Sequence, residues 1–546
     1  MGDEAAGKPP VVILREETNV TSGTAVQEKL IAAARVFADL LRPTYGPRGL
    51  DKMMYKTDGT TAVTNDGAKI VAELMVKHPA AKMFVAMAES QENSCGDGVT
   101  GTLLLSAELL LEAGRLLQKG LHPLTIIEGY NQANKIALET ISKQATKGSV
   151  EDLRNVAITA LTGKGAEGAS EHLSDMIVEA LQTVDSDPDY VTMHKINSGG
   201  LFDSKILHGV VVRRRVLLDA LPSEIMDAKV ATINGDLAPR KQIRNAEIEI
   251  EEASQLEAFL AAEEASIEDL AKTLLASGAN VFICTGTVNK GLLHHLMRAG
   301  CFVAGEFDDR ELRNTSLATG SRIIEHLKDL SSDDIGTAGR LVAERKAATD
   351  QVEDLIRLEN CPTPKVVTCE IGGANHLAAE EAIRALHDAL RATGLAMRTN
   401  SLVEGGGATH MACALAIREA AEHEPGRNRL AMEAFARSLE IIPSTLALNT
   451  GADALDRVLE LRAAHRNGAS SAGIRSDGTV GDTGAKEAAA AIESAPFQGL
   501  RKPAQVCSES TKLFLHVAIE TPSGSSAAIH WMVNGFHSWL TLPSRP

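Results

Sequence analysis

The chain has 546 residues, of which 44% are hydrophobic, 23% charged and only 3% aromatic, so aliphatic residues must build its core. One hydrophobic core does not support this length, which predicts roughly three or four domains. The formal net charge of −17 argues against a nucleic-acid binder that relies on neutralising phosphates. We expect the acidic surface to keep a large assembly in solution.

The seven cysteines are scattered and include no Cys-x-x-Cys pair, which argues against a zinc site or a disulfide framework. The first ten residues are polar and lack the apolar core of a signal peptide. No apolar stretch reaches the length that a membrane span needs. These features predict a cytoplasmic protein that binds neither nucleic acid nor a membrane.

The first quarter of the chain is predicted to be mainly helical. One amphipathic helix is marked by apolar residues at helical spacing, namely Val26, Leu30, Ala34, Phe37 and Leu41. Pro43 ends that helix. A strand is predicted at 60–64, and further helices at about 68–76, 80–92, 99–117 and 124–145.

The middle of the chain changes to alternating strands and helices. Short β-branched runs at 209–212, 230–233 and 281–283 predict strands, so an α/β domain is expected over 211–358. Within it, 252–276 has the periodicity of an ordinary packing helix. Beyond Cys361 the pattern is helical again, and no Pro/Ser-rich linker separates the regions. We predict a multidomain α and α/β protein whose domains are inserted into one another.

Common catalytic and nucleotide motifs are missing. Gly163-Lys164-Gly165 lacks the upstream glycine and the following Ser/Thr of a Walker A loop. Neither a Rossmann fingerprint nor a nucleophile elbow is present.

The loop Gly96-Asp97-Gly98-Val99-Thr100 precedes a long apolar helix. Two glycines permit close approach of a ligand, and the unpaired N–H groups of a helix start favour phosphate. Asp97 suits such a site if Mg²⁺ bridges carboxylate and phosphate. The alternative is that Asp97 only caps the helix, and for this loop alone capping is the simpler interpretation.

Three more glycine-rich turns precede predicted helices or loops: Thr44-Tyr45-Gly46-Pro47, Asn65-Asp66-Gly67 and Gly405-Gly406-Gly407. Each alone is an ordinary turn sequence. Together they favour a nucleotide site, with Asp66 and Asp97 available to face a metal ion.

A series of phrases then identifies a family. LREETNVTSG, RPTYGPRGLDKMM, VTNDGAKI, HPAAKM, GDGVTGTLLLSAELL, HPLTIIEGY, RALHDAL, VEGGGAT and EIIPSTLALNTG occur in order over roughly residues 11–518. The chain resembles a group II chaperonin subunit, as in archaeal thermosomes and the eukaryotic cytosolic complex. The resemblance is that of a divergent paralogue.

The resemblance implies nested domains. The ranges in chain order are equatorial ATPase 1–143, intermediate hinge 144–210, apical 211–358, intermediate 359–394 and equatorial 395–546. It also implies that 252–276 is a helical lid protrusion on the α/β apical domain, and not merely a packing helix.

The resemblance also assigns a site. Asp97 would hold Mg²⁺ and Asp388 would orient the attacking water, although locally Asp388 could simply pair with Arg384. Lys164 would sense the γ-phosphate, the alternative being a solvated loop lysine, and Asp482 would lie beside the ribose. The other implied ATP-binding residues are Thr44, Tyr45, Gly46, Pro47, Asn65, Asp66, Gly67, Gly98, Val99, Thr100, Gly101, Gly406 and Gly407.

Some positions depart from the family pattern. Lys56 stands where a second acidic residue is frequent, and Lys69 where a small hydroxyl residue is usual. Val99 and Gly101 replace threonines of the phosphate loop. Residues 520–546 contain both tryptophans and resemble no part of the family.

The implied function is that of an ATP-dependent chaperonin subunit. It would use ATP and Mg²⁺, with K⁺ as a further candidate cation, and enclose non-native proteins in a homo- or hetero-oligomeric double ring of about eight subunits per ring. The departures support an alternative, a structural subunit of a hetero-oligomeric ring that binds ATP but hydrolyses it weakly.

Overall fold

The computed structural model describes residues 24–55, 61–74, 76, 78–196, 199–239, 253–344, 354–373 and 376–494. Lys56 and the segment 520–546 therefore lie outside the described residues. The described chain divides into two compact units. The first unit comprises 24–145, 403–484 and 491–494, and the second comprises the described parts of 146–402 with 485–490.

Sixteen helices are present in the described residues. They are α1 (Thr24–Leu41), α2 (Gly67–Ala72), α3 (Pro79–Cys95), α4 (Val99–Gln118), α5 (Pro123–Gln144), α6 (Val150–Leu161), α7 (Ser170–Thr183), α8 (Ala253–Ala276), α9 (Lys290–Arg298), α10 (Asp309–Thr319), α11 (His376–Thr399), α12 (Ala408–His423), α13 (Asn428–Leu439), α14 (Ile441–Asn449), α15 (Ala454–Arg466) and α16 (Ala489–Ser494).

The same residues contain sixteen strands. They are β1 (Lys52–Tyr55), β2 (Thr61–Thr64), β3 (Val191–Lys195), β4 (Lys205–Leu207), β5 (Val210–Arg213), β6 (Glu224–Ile233), β7 (Val281–Cys284), β8 (Phe302–Ala304), β9 (Ile323–Ile324), β10 (Gly336–Glu344), β11 (Leu355–Glu359), β12 (Val367–Ile371), β13 (Leu402–Glu404), β14 (Ala472–Ile474), β15 (Val480–Asp482) and β16 (Lys486–Ala488).

The first unit is mainly helical. Helix α4 is buried around most of its circumference, as its leucine-rich sequence requires, and α1, α3 and α13 pack against it. Phe37 of α1 stacks on Phe84 of α3 with ring centroids 4.8 Å apart. Tyr130 of α5 meets Phe435 of α13 edge to face at 5.4 Å. The long helix that follows the Asp97 loop is therefore the centre of this unit.

A buried carboxylate joins four helices of the first unit. Glu440 connects α13 to α14, and its side chain is 8% exposed. Arg418 of α12 and Arg462 of α15 each donate to both of its carboxylate oxygens. Burial alone would raise the pKa of Glu440, but the two guanidinium groups outweigh burial and hold that pKa below its usual value.

The second unit contains a seven-stranded mixed sheet. Its order is β5-β11-β10-β6-β7-β8, with β9 also paired to β6. The pairs among β6, β7, β8 and β9 are parallel, and β10 and β11 join the sheet antiparallel. Strand β7 is buried at every residue, as expected for a strand covered on both faces. The α/β character predicted for this region is confirmed.

Helix α8 confirms the helix predicted at 252–276. Its two halves differ in how far their side chains are buried. Ile267, Leu270 and Leu274 in its C-terminal half are buried in the core beside the sheet, whereas Phe259 and Leu260 nearer its start are exposed. The packing-helix interpretation therefore fits its second half. Its role as a lid protrusion remains a prediction.

A smaller sheet lies elsewhere in the second unit. Its strand order is β3-β12-β4, and α6, α7 and α11 share a core with it. The mixed helical and α/β architecture is thus confirmed, while the division into equatorial, intermediate and apical domains remains a prediction. No helix in the described part of the chain has the length and apolar character to cross a membrane.

Replacing Glu440 with glutamine is expected to destabilise the first unit. The change removes the charge that both Arg418 and Arg462 bind and leaves two guanidinium groups uncompensated, which costs about 3–5 kcal/mol for a buried pair. Denaturant unfolding followed by circular dichroism measures this loss.

The matched control is Glu433→Gln, which removes one side of the more exposed i,i+4 pair with Arg429 on α13. It should cost less than about 1 kcal/mol. Equal effects of the two substitutions would contradict a central role for Glu440.

Candidate nucleotide site

Helix α4 begins at a glycine and not at the aspartate before it. Gly98 is the N-cap, with φ of +81°, and no side chain caps the helix in the described residues. Asp97 instead accepts a hydrogen bond from the neighbouring Gly98 N–H at 2.7 Å through Oδ1. Its carbonyl oxygen accepts from Gln91 Nε2 at 3.2 Å. The interpretation of Asp97 as the helix cap is therefore wrong.

The Asn65-Asp66-Gly67 turn lies against the first turn of α4. A Cβ added to Gly67 would stand 2.2 Å from Thr100 Oγ1, so only glycine fits here without rearrangement. Asp66 caps α2, its Oδ1 accepting from Ala68 N at 2.9 Å. Capping engages one carboxylate oxygen of Asp66, and its predicted part in a nucleotide or metal site stays a prediction.

The Thr44–Pro47 turn is fixed from behind by α14. Asn449 Nδ2 donates to the carbonyl oxygens of Tyr45 at 2.7 Å and Arg42 at 2.8 Å. Gly46 has φ of +84°, and a Cβ there would stand 2.4 Å from Leu446 Cδ2. Sequence analysis did not single out Asn449, although it belongs to the phrase that ends in ALNTG.

The Gly405–Gly407 turn starts α12 in the same way that Gly98 starts α4. Gly407 is an N-cap with φ of +80° and no side-chain cap in the described residues. A Cβ there would stand 2.9 Å from Pro443 Cβ of α14. A Cβ on Gly406 would stand 2.7 Å from Cγ2 of Thr483, the residue after Asp482, and the Gly406 carbonyl oxygen accepts from Ile474 N at 2.9 Å. Exposed Asp482 therefore lies in the β14–β15 hairpin that adjoins this turn.

These contacts bring four distant turns of the chain together in the first unit. Thr100 lies against Gly67, and Tyr45 lies where a side chain on Gly101 would stand. Helix α14 lies against both Gly46 and Gly407. Two helix starts with uncapped N–H groups belong to the group. Backbone donors at such starts favour an anion. What this arrangement can do chemically is hold a phosphorylated ligand.

Asp97 fits the requirements of a magnesium ligand. It is half-buried and, in the described part of the chain, forms no ion pair with Lys or Arg. One carboxylate plus phosphate oxygens is a usual set for Mg²⁺, which keeps several waters. The described residues contain no cluster of three acidic, His or Cys side chains that would hold a metal without such a ligand.

Two further predicted residues meet in the second unit. Lys164 Nζ lies 2.6 Å from Asp388 Oδ2, and each side chain is 16% exposed. Arg384 pairs with Glu381 instead of with Asp388. Both local alternatives, a solvated Lys164 and an Asp388–Arg384 pair, are therefore wrong. The structure joins residues 224 positions apart in the sequence.

Burial also acts on a histidine that sequence analysis missed. His410 lies in the first turn of α12, two residues after its first residue, and burial lowers its pKa to about 4. The imidazole is therefore neutral at physiological pH and adds no positive charge beside the Gly407 helix start. The only sequence signal was its position just after the glycine-rich turn.

The titration of His410 predicts a pH dependence of stability. Between the unfolded pKa of about 6.5 and the folded value of about 4, only the unfolded chain takes up the proton, so acidification destabilises the fold. We expect His410→Gln to remove this contribution and to flatten the fall in melting temperature between pH 6.5 and 4. His423→Gln, at the exposed end of the same helix, is the control. Parallel pH curves for wild type and His410→Gln would contradict the assignment.

Comparison with known proteins gives the family. The profile of the TCP-1/cpn60 chaperonin family matches residues 37–495. Thermosome subunit alpha of Archaeoglobus fulgidus is 35% identical over 519 residues, which cover 93% of each chain. Thermosome subunit beta of Methanothermobacter thermautotrophicus is 35% identical over 530 residues, covering 96% of this chain and 97% of the relative. The thermosome subunit of Methanocaldococcus jannaschii is 37% identical over 465 residues, covering 84% and 85%. The chain therefore belongs to the TCP-1/cpn60 chaperonin family, in its group II branch.

Proposed function

We propose that this protein is an ATP-hydrolysing group II chaperonin subunit that assists protein folding. Its similarity along most of its length to thermosome subunits supports the chaperonin role. The observation that carries the ATPase part is the convergence of four glycine-rich turns on the uncapped starts of α4 and α12.

ATP would bind in the first unit. Its phosphates would lie against the N–H groups at Gly98–Gly101 and Gly406–Gly407, at the two helix starts that no side chain caps in the described residues. Asp97 would hold Mg²⁺, which offsets phosphate charge when bound. Asp482 would lie on the ribose side.

Asp388 and Lys164 would act on the terminal phosphate. A carboxylate that accepts a hydrogen bond from water aligns that water for attack on phosphorus. The 2.6 Å ion pair with Lys164 limits the rotamers of Asp388, because both side chains are largely removed from solvent. Lys164 would respond to the γ-phosphate, and hydrolysis would be coupled to domain closure.

The residues that depart from the family pattern favour slow ATP hydrolysis more than a loss of ATP binding. Val99 is buried in α4 and offers no hydroxyl, while Lys69 is half-buried in α2. A structural subunit that hydrolyses weakly remains the second candidate, although the relatives' names favour the chaperonin role. Rapid steady-state phosphate release from the purified protein would exclude it.

The assembly follows from the same resemblance. We propose the equatorial, intermediate and apical ranges given above, a lid at 252–276, and a double ring of about eight subunits per ring that encloses non-native proteins. A cytoplasmic location and a role for K⁺ remain predictions. Negative-stain images with and without ATP test ring formation and lid closure together.

Replacing Asp388 with asparagine is expected to lower ATP turnover by roughly 100-fold or more while ATP binding and ring assembly persist. The amide keeps the shape but is a poorer acceptor for the water proton. Phosphate release, nucleotide calorimetry and electron microscopy provide the three readouts.

Asp175→Asn, which alters an exposed ion pair with Arg154 in the same unit, is the control and should leave turnover unchanged. Unchanged turnover in Asp388→Asn would remove Asp388 from the mechanism.

Loss of ATP binding in Asp97→Asn at high Mg²⁺, together with normal folding, would support the metal assignment.

A further inference from the structure

Asn449, the last residue of α14, forms hydrogen bonds to a part of the chain that is remote in sequence. Its Nδ2 atom donates to the carbonyl oxygens of Arg42 at 2.8 Å and Tyr45 at 2.7 Å, which lie 407 and 404 positions away. Both acceptors are backbone oxygens, so only the NH₂ end of the carboxamide can face them. Aspartate has the same shape but, when ionised, has no proton to donate. The contact therefore requires an amide at position 449.

The Thr44–Pro47 turn needs support from outside itself. Gly46 has φ of +84°, and glycine loses more conformational freedom on ordering than any other residue. Gly49 N donates to Gly46 O at 2.9 Å, and Leu50 N donates to Pro43 O at 2.8 Å. Such bonds join near neighbours in the chain, so they shape the turn without fixing its place in the first unit. The bonds from α14 fix that place.

One row of side chains on α14 supports two of the four glycine-rich turns. Its members are three residues apart, a spacing at which side chains are neighbours along a helix. Pro443 lies against Gly407, and Leu446 lies against Gly46. Asn449 continues the row to the backbone just before Gly46. Helix α14 is therefore a spacer between these two turns.

The amide adds direction to this spacer. The contact between Leu446 and Gly46 is apolar, and apolar contacts are not directional, so alone it would allow the turn to slide along α14. Hydrogen bonds weaken steeply when their angle departs from linear. Two of them from one nitrogen therefore set the register of the turn on the helix.

We propose that Asn449 is a positioning residue for ATP, because its carboxamide holds the Thr44–Pro47 turn at the distance from the Gly405–Gly407 turn that the nucleotide requires. This inference rests on the proposed ATP site and deepens it. Asn449 acts through the turn and not on the ligand. Loss of the amide lowers the fraction of molecules whose turn can bind ATP, and the apparent affinity falls with that fraction.

Asn449→Asp and Asn449→Ala test the proposal in the full chain, with ATP and Mg²⁺ as the probe. The aspartate turns an oxygen toward both carbonyl groups, and the alanine removes the side chain. We expect either change to weaken ATP binding in calorimetry roughly 5- to 50-fold, the range for two lost hydrogen bonds. In steady-state turnover KM should rise while kcat changes little, because the turn contacts ATP equally before and during hydrolysis.

Hydrogen exchange without nucleotide gives a readout that does not depend on ATP. Peptides covering 42–50 should exchange faster in both variants than in the wild type, while those of α4 stay protected. Thermal unfolding shows that each variant is folded, and Asn449→Ala carries the test if the aspartate prevents folding. The matched control is Asn467→Asp at the exposed C-terminal end of α15, which should leave affinity, KM and exchange at 42–50 unchanged.

Three results would overturn the proposal while leaving the ATP site intact. The first is wild-type ATP affinity in the folded variants, with or without faster exchange at 42–50. The second is weaker binding without faster exchange, since Asn449 would then act on the ligand itself. The third is a fall in kcat at unchanged KM together with a lower melting temperature, which would show a loss of folded protein only. A wild-type protein that binds no ATP would instead overturn the proposed function, and this inference with it.

Discussion

The buried carboxylate of Glu440 is the interaction on which the candidate site depends. Arg418 from α12 and Arg462 from α15 both donate hydrogen bonds to it at the junction of α13 and α14. Two cations and one anion removed from water are stable only while the set is complete. Their geometry therefore ties α12 and α15 to the beginning of α14, and both the start of α12 and the side chains of α14 take part in the site.

Close contacts between the side chains of α14 and the backbone of the turns position the other parts of the candidate site. Helix α14 supplies Pro443 to Gly407, Leu446 to Gly46, and Asn449 to the Tyr45 carbonyl. The first two contacts exclude a side chain on the partner glycine. The glycines are therefore needed for two separate reasons, since some adopt positive φ and others, such as Gly67 and Gly101, only make room.

Sequence reasoning succeeded where one local pattern decided the outcome. Helical periodicity located α1, α4 and α5 to within a few residues, and β-branched runs located β7 and the end of β6. It failed where two local rules competed. Asp97 has the side chain of a cap, but the left-handed Gly98 after it takes the cap position. Asp66, with similar chemistry, does cap its helix.

The sequence by itself determined the family, the mixed helical and α/β architecture, and which turns were rich enough in glycine to approach a phosphate. Those properties are local, because composition, periodicity and motif order do not depend on distant contacts. Only the tertiary structure decided the partners: Lys164 for Asp388, Tyr45 for Gly101, and two arginines for Glu440. Ion pairing and close packing depend on which residues burial brings together, and spacing along the chain does not encode a partner 224 positions away.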